Sequence, residues 1–366
     1  MISSLLLAAA LDTLLVGGPF TKGYLPEHIS EASGLVATPG MLWTVNDSGG
    51  DASVYGVDDS GTQRVEVRLR GATNVDWEDM AYHPPSKTLY VADIGDNAGR
   101  RRSIQIYALP LPALGTDTVV DVDPSVRSYV YPDGARDAET LLCDPVTGDL
   151  FIVTKRERRN RLYKVPAVGD TLQMMHDLPF YLAVAGDVSA DGRHIVVKNY
   201  AYVFSWTRLG NESISDAMRR QPDTLHYMPE PQGECLAIAQ DGSGFYTVTE
   251  REDGGPLAPI EFYPAVASPA DIDRVRDVRR PSIQVVPDDA KRGHYVIRYA
   301  VTQESNVSIT VRNVLGMTVA KPADDSREAG AQERELDLTQ SPDGTYIVTL
   351  RTGAGYASTA IEHRRR

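Results

Sequence analysis

Cysteine, tryptophan and lysine are scarce in this sequence. Of its 366 residues, two are Cys, three are Trp and seven are Lys, against 30 Arg. Two cysteines, Cys143 and Cys235, cannot build a disulfide framework, and they lack the spacing of a zinc site. They read as small buried apolar residues, with one disulfide between them as the other possibility. No run of 18 apolar residues occurs, so an integral membrane protein is not expected. A Gly-x-Ser-x-Gly elbow is missing, as is a glycine-rich phosphate loop before a helix. No histidine is paired with a Ser or Cys as a nucleophile and its base would be. Positive charge is in deficit too. Lys and Arg total 37 against 50 Asp and Glu, a net charge of −13, so no basic face is expected for phosphates and nucleic acid is not an expected partner.

What the chain does have is a repeat. Five times an acidic entry leads into a short apolar run, a tight turn and a second apolar run that ends in polar residues. The copies span residues 31–49, 76–97, 137–156, 186–200 and 233–250. Runs of four to six residues rich in Val, Ile, Leu and Tyr read as buried strands. Pro39-Gly40, Asp191-Gly192 and Asp241-Gly242 between them supply the φ values that hairpin turns need. Third strands follow in most copies, at 53–57, 104–107, 161–165, 202–206 and 259–263, and fourth strands at 64–69, 172–175 and 224–227. Four antiparallel strands per unit, repeated radially, predict a β-propeller over residues 20–264. Five blades are expected, with residues 20–25 completing the fifth. Six is the alternative, with a degenerate blade in 108–131. A helix-like insert covers 213–220.

The flanks differ in character. Residues 1–19 are short and apolar and read as a signal peptide, although Asp12 interrupts them and no basic start precedes them. Residues 265–281 alternate charge with proline and read as a linker. Residues 282–366 carry seven short strands and predict a small Ig-like β-sandwich, so the fold class expected is all-β throughout.

The segment Val-Ser-Ile-Thr-Val-Arg-Asn-Val-Leu-Gly-Met-Thr-Val (307–319) precedes Glu-Leu-Asp-Leu-Thr-Gln-Ser-Pro-Asp-Gly-Thr-Tyr-Ile (335–347), a last strand and Arg364-Arg365-Arg366. In this order it resembles the C-terminal sorting domain of the bacterial type IX secretion system. The usual Tyr-Pro-Asn-Pro-like opening is Val-Val-Pro-Asp here (285–288). The resemblance implies passage through the periplasm, type IX machinery as partner of 282–366, and a secreted or outer-surface location. The stretches Leu-Trp-Thr-Val-Asn-Asp-Ser-Gly (42–49), Val-Asp-Trp-Glu-Asp-Met-Ala (75–81) and Tyr-Val-Ala-Asp-Ile-Gly-Asp-Asn (90–97), with Asp137-Ala-Glu139 and Gly233-Glu234, resemble a group of secreted bacterial propellers of no settled activity. More distantly these look like phytase-like propellers.

The repeat gathers chemistry at one end. Glu31, Asp76, Glu78, Asp137, Glu139, Asp187 and Glu234 all fall at the entry of an expected innermost strand. Carboxylates brought close repel unless protonated, hydrogen-bonded or bound to a cation. Oxygen-only donors suit Ca²⁺ rather than zinc, so these seven are candidate ligands for calcium, the one cofactor expected. The alternative is that each accepts backbone N–H groups and joins neighbouring blades. Loops on the same face add Asn46, Asp47, Asp93, Asp96, Asn97, Arg156 and Asn199 as candidate ligand-binding residues. An acidic centre with a basic rim suggests an anionic small molecule, a glycan or a protein as ligand. The expected function is therefore non-catalytic binding on this face. The alternative is a Ca²⁺-dependent, phytase-like hydrolase of phosphate or ester bonds, with Glu78, Glu139, Lys155 and Lys198 as catalytic candidates.

Overall fold

The computed structural model describes residues 14–365, except 113, 114, 116, 117, 252, 253, 273, 276, 278, 279 and 302. Most of the expected signal segment 1–19 therefore lies outside the described residues. The chain forms two compact units. One comprises the residues up to His226 with Gly233–Val275, the other Tyr227–Gln232 with Arg276–Arg366. Both are built from β-strands.

In the first unit β1 (Phe20–Tyr24) precedes a sheet of β2 (Ala32–Thr38), β3 (Met41–Asn46), β4 (Ser53–Val57) and β5 (Gln63–Leu69). A second sheet contains β6 (Trp77–His83), β7 (Thr88–Asp93) and β8 (Ile104–Pro110). Two further strands fall in the stretch where a sixth repeat was the alternative. There β9 (Val119–Val122) joins β5 in parallel and β10 (Ser125–Tyr129) pairs with β8, so both extend existing sheets. The third sheet is β11 (Ala138–Cys143), β12 (Leu150–Thr154), β13 (Arg161–Lys164) and β14 (Gln173–Asp177). The fourth is β15 (Ala183–Val188), β16 (His194–Asn199), β17 (Val203–Thr207) and, after the short helix α1 (Ile214–Ala217), β18 (Asp223–Leu225). The fifth is β19 (Cys235–Ile238), β20 (Gly244–Val248) and β21 (Pro259–Pro264), and β1 pairs antiparallel with β21 as its outer strand. The expected linker carries α2 (Pro269–Ile272), and Ala265 bridges to Val16.

Continuous apolar runs form these strands because the inner ones are covered on both faces; all seven residues of β2 are buried. Sheets one and two share a core of Trp43, Val45 and Val67 against Trp77, Met80 and Val91. Sheets two and three share another core, and sheets three and four a third. Sheet five packs on sheet one through Ala237, Val248 and Ile260 against Leu35, Ala37 and Leu42. The first strands of the five sheets follow one another in a cycle: β2 lies against β6, β6 against β11, β11 against β15, β15 against β19, and β19 against β2.

Side chains cross these seams to neighbouring backbone. Ser33 Oγ donates to Glu78 O at 2.6 Å, and Asp79 Oδ2 accepts Leu141 N at 2.8 Å. Asp187 Oδ2 accepts Ile238 N at 2.8 Å, and Cys235 Sγ donates to Ala32 O at 3.3 Å. Both cysteines are free and buried.

In the second unit β22 (Ser282–Pro287), β23 (His294–Val301) and β26 (Gly330–Asp337) form one sheet. The strands β24 (Ser305–Asn313), β25 (Thr318–Arg327), β27 (Gly344–Thr352) and β28 (Gly355–His363) form another. Ile297 and Leu336 of the first sheet share a core with Ile309, Val311, Val348 and Leu350 of the second. Among the described residues no helix is long and apolar enough to cross a membrane.

Candidate functional site

The first strand of four sheets carries a bulge near its start. The register skips Gly34 in β2, Glu78 in β6, Glu139 in β11 and Val184 in β15. A bulge turns its extra residue out of the ladder. Here it re-aims the Glu78 and Glu139 side chains. Glu234, immediately before β19, joins them. Glu78, Glu139 and Glu234 are all buried, and each offers an oxygen within 4.8 Å of the others'.

A second triad shares Glu78. Asp47, just past β3, and Asp76, just before β6, each bring an oxygen within 4.8 Å of one from Glu78 and of each other. Both aspartates are partly buried. Asn74 holds the approach, because its amide donates to Asn46 O and Asp47 O at 2.9 and 2.8 Å while its carbonyl accepts Trp77 N. Gly95 is equally specific. A Cβ there would lie 2.1 Å from Glu78 Oε1 and 2.6 Å from Asp76 Oδ2. Only a residue without a side chain lets the two carboxylates rest against this backbone.

Lys155, directly after β12, enters the inner triad. Its ammonium is buried and donates to Glu139 Oε1, to Glu234 Oε1 at 3.3 Å and to the Tyr200 hydroxyl at 2.9 Å. Tyr200 donates in turn to Glu234 Oε1. Glu139 Oε2 is buried with no donor facing it.

Crowding moves the protons. Burial pushes Asp47 up to about 6, with Glu234, Asp76 and Glu31 adding repulsion. Burial and then Glu139 hold Glu78 well above the carboxylate range; burial and then Glu234 do the same to Glu139. Glu250, just after β20, is driven to about 9 by burial and by Glu234. Burial alone would depress Lys155, but Glu139 and Glu234 reverse the sign and hold it charged. The arrangement carries more carboxyl groups than positive charge, so it keeps protons or takes up a cation. Oxygen-only donors and the unsatisfied Glu139 oxygen suit a hard divalent ion such as Ca²⁺.

The other candidates take structural positions. Asp137 accepts Asp96 N at 2.7 Å and Arg156 Nε at 2.5 Å; the Arg156 guanidinium also reaches Asn97. Asp93 is fully buried and binds Arg101 at 2.6 Å, while its Oδ2 has no partner. The Asp96 carboxylate accepts Arg100 N and Arg101 N within its own loop. Asn46 Nδ2 donates to His28 O, and Asn199 Oδ1 accepts Ala201 N and Tyr202 N. Lys198 is fully buried and donates to Cys235 O at 3.4 Å. Glu31 is exposed, and its backbone carbonyl receives Asp47 N. Asp187 lies apart from both triads. The bulge of β15 falls at Val184, so Asp187 sits three residues further along its strand, in the seam with β19. Asn74, Gly95, Tyr200 and Glu250 were not among the expected site residues. Of these, Gly95, Tyr200 and Glu250 fall in the polar ends of the repeated copies, which is the one signal that points to them.

No protein-family model matches the chain, and no curated protein matches it. Solved structures similar to it include a luciferin-regenerating enzyme, at 10% identity and a TM-score of 0.42, covering 68% of this chain and 95% of that one. The Kuenenia stuttgartiensis hydrazine synthase is 9% identical with a TM-score of 0.38, covering 66% of this chain and 84% of that one. A Thermus thermophilus protein described as an oxidoreductase (glucose dehydrogenase) is 13% identical with a TM-score of 0.40, covering 69% of this chain and 100% of that one. At these TM-scores the likenesses assign no activity to this chain.

Proposed function

We propose that the first unit is a five-bladed β-propeller that binds its ligand at the acidic centre through a divalent cation, Ca²⁺ by the chemistry of its donors. The propeller reading is supported by the cycle of first strands and by β1, which closes the last sheet. The observation that carries the binding reading is the outer triad. Asp47, Asp76 and Glu78 converge against Gly95, where a single Cβ would displace two of the three carboxylates. A bound cation would in turn offer open coordination positions to an anionic or hydroxyl-rich ligand. We extend the proposal to location: the second unit acts as an address for export by type IX machinery.

Binding is preferred to hydrolysis for a stated reason. Lys155, Arg156 and Lys198, the cations that would grip a phosphate, are each engaged within the protein. Calorimetric titration of Ca²⁺ into the full chain, with Asp76→Asn and Glu78→Gln beside it, tests the site. The wild type should bind and gain thermal stability, and both variants should lose binding while keeping the β-sheet circular dichroism spectrum. A wild type that binds no Ca²⁺ removes the proposal. Turnover of phosphomonoesters, esters or lactones that disappears in Glu78→Gln would replace binding with the hydrolase.

A further inference from the structure

The two carboxylate triads share Glu78, and they differ in what already fills them. Among the described residues, no lysine or arginine forms an ion pair with the outer one. The inner one holds the Lys155 ammonium, whose three N–H donors are used on Glu139 Oε1, Glu234 Oε1 and Tyr200 Oη. The inner oxygens, like the outer ones, lie within 4.8 Å of one another. Glu139 Oε2, buried and unpartnered, is coordination capacity that an ammonium with three donors cannot use and an ion of higher coordination number can.

We propose that the Lys155 ammonium fills the inner of two cation positions bridged by Glu78, and so restricts the protein to one divalent ion at the outer position. This deepens the Ca²⁺-binding reading and rests on it for the outer ion. Lys155 is then a specificity-determining residue. It supplies one fixed positive charge that cannot exchange with solvent, where an uncharged residue would leave a second metal site. Tyr200, which also touches Glu234, becomes a ligand for that second ion in the absence of the ammonium.

The test is ion stoichiometry. Full-length wild type, Lys155→Met and Lys155→Met with Glu139→Gln are dialysed to equilibrium against Ca²⁺, and bound metal is measured by atomic emission. The wild type should hold one equivalent, Lys155→Met two, and the double variant one again. Lys155→Met should also show a larger Ca²⁺-dependent rise in thermal midpoint than wild type, because its buried carboxylates have lost their counter-charge. An unchanged stoichiometry in Lys155→Met overturns the inference while leaving the outer site intact. No ion in the wild type but one in Lys155→Met sinks the outer-site reading and, of this inference, keeps only that the ammonium occupies a cation position. A Lys155→Met chain that stays unfolded in millimolar Ca²⁺ also overturns it, since the ion then fails to replace the ammonium.

Discussion

Gly95 sets the tightest steric condition on the site. Its α-carbon faces Glu78 and Asp76 so closely that Gly95→Ala must move both carboxylates. The backbone there has ordinary φ, so the alanine itself is not strained. Gly95→Ala is expected to abolish Ca²⁺ binding while leaving the circular dichroism spectrum unchanged. Retained binding would show that the carboxylates can yield without cost. Asp47 shares the pH response with Glu78 and Asp76, whose carboxyls burial also raises. Ca²⁺ needs the carboxylate, and Asp47 keeps its proton up to about 6. Ca²⁺ affinity should therefore fall by up to about tenfold per pH unit below that point. The linked effect on the ion-free protein has the opposite course. A carboxyl whose folded value exceeds its unfolded 3.8 contributes stability that is present below 3.8 and lost as pH rises through about 6. Calorimetric Ca²⁺ titration of the wild type across this range checks the first sign, and the thermal midpoint of the ion-free protein, compared with Asp47→Asn, checks the second.

At the scale of elements, the bulges and the seam-crossing side chains divide the carboxylates into two kinds. Glu78 and Glu139 are the bulged residues and face the site. Asp79, one residue on, is fully buried and is spent on the backbone, accepting Leu141 N and Met80 N at 2.8 Å each. Asp79→Ala would leave both N–H groups unsatisfied and should destabilise the first unit by about 1–3 kcal/mol. The urea midpoint measures this, and an unmoved midpoint would show the β6–β11 staple to be idle. Of the two alternatives open for the acidic residues, acceptance of a neighbouring sheet's N–H is seen at Asp187, and Asp79 does the same beside Glu78. The repeated Asp/Glu letters made the strand starts legible. They could not separate the two kinds, because a bulge leaves no mark in the alternation of a run that is apolar on both faces. Asp187 shows the result: its letter aligns with the site carboxylates, but the β15 bulge at Val184 places it in the seam.

For the whole molecule, the two units have separate cores and separate expected roles. A chain ended at residue 275 should keep the Ca²⁺ binding of the first unit and remain in the periplasm, whereas the full chain should reach the surface or the medium. Cell fractionation with the binding assay on each fraction decides it. Delivery of the shortened chain would remove the export role of the second unit. Loss of binding would show instead that the first unit depends on the rest.

The sequence by itself determined the all-β class, the placement of most strands, though not of β9 and β10, and the gathering of acidic residues at strand starts. These depend on local composition: β-branched and aromatic runs, Pro-Gly and Asp-Gly turns, and a repeated entry motif. It also pointed to residues 20–25 as the strand that completes the fifth sheet. Tertiary structure alone decided which carboxylates meet. Glu78 belongs to two triads because β6 neighbours both β2 and β11, and Lys155 fills one triad because its ammonium reaches across to Glu234 on a non-adjacent sheet. Contacts of that range depend on where the bulges fall and how the sheets succeed one another, and neither is encoded within a few residues of the side chains they bring together.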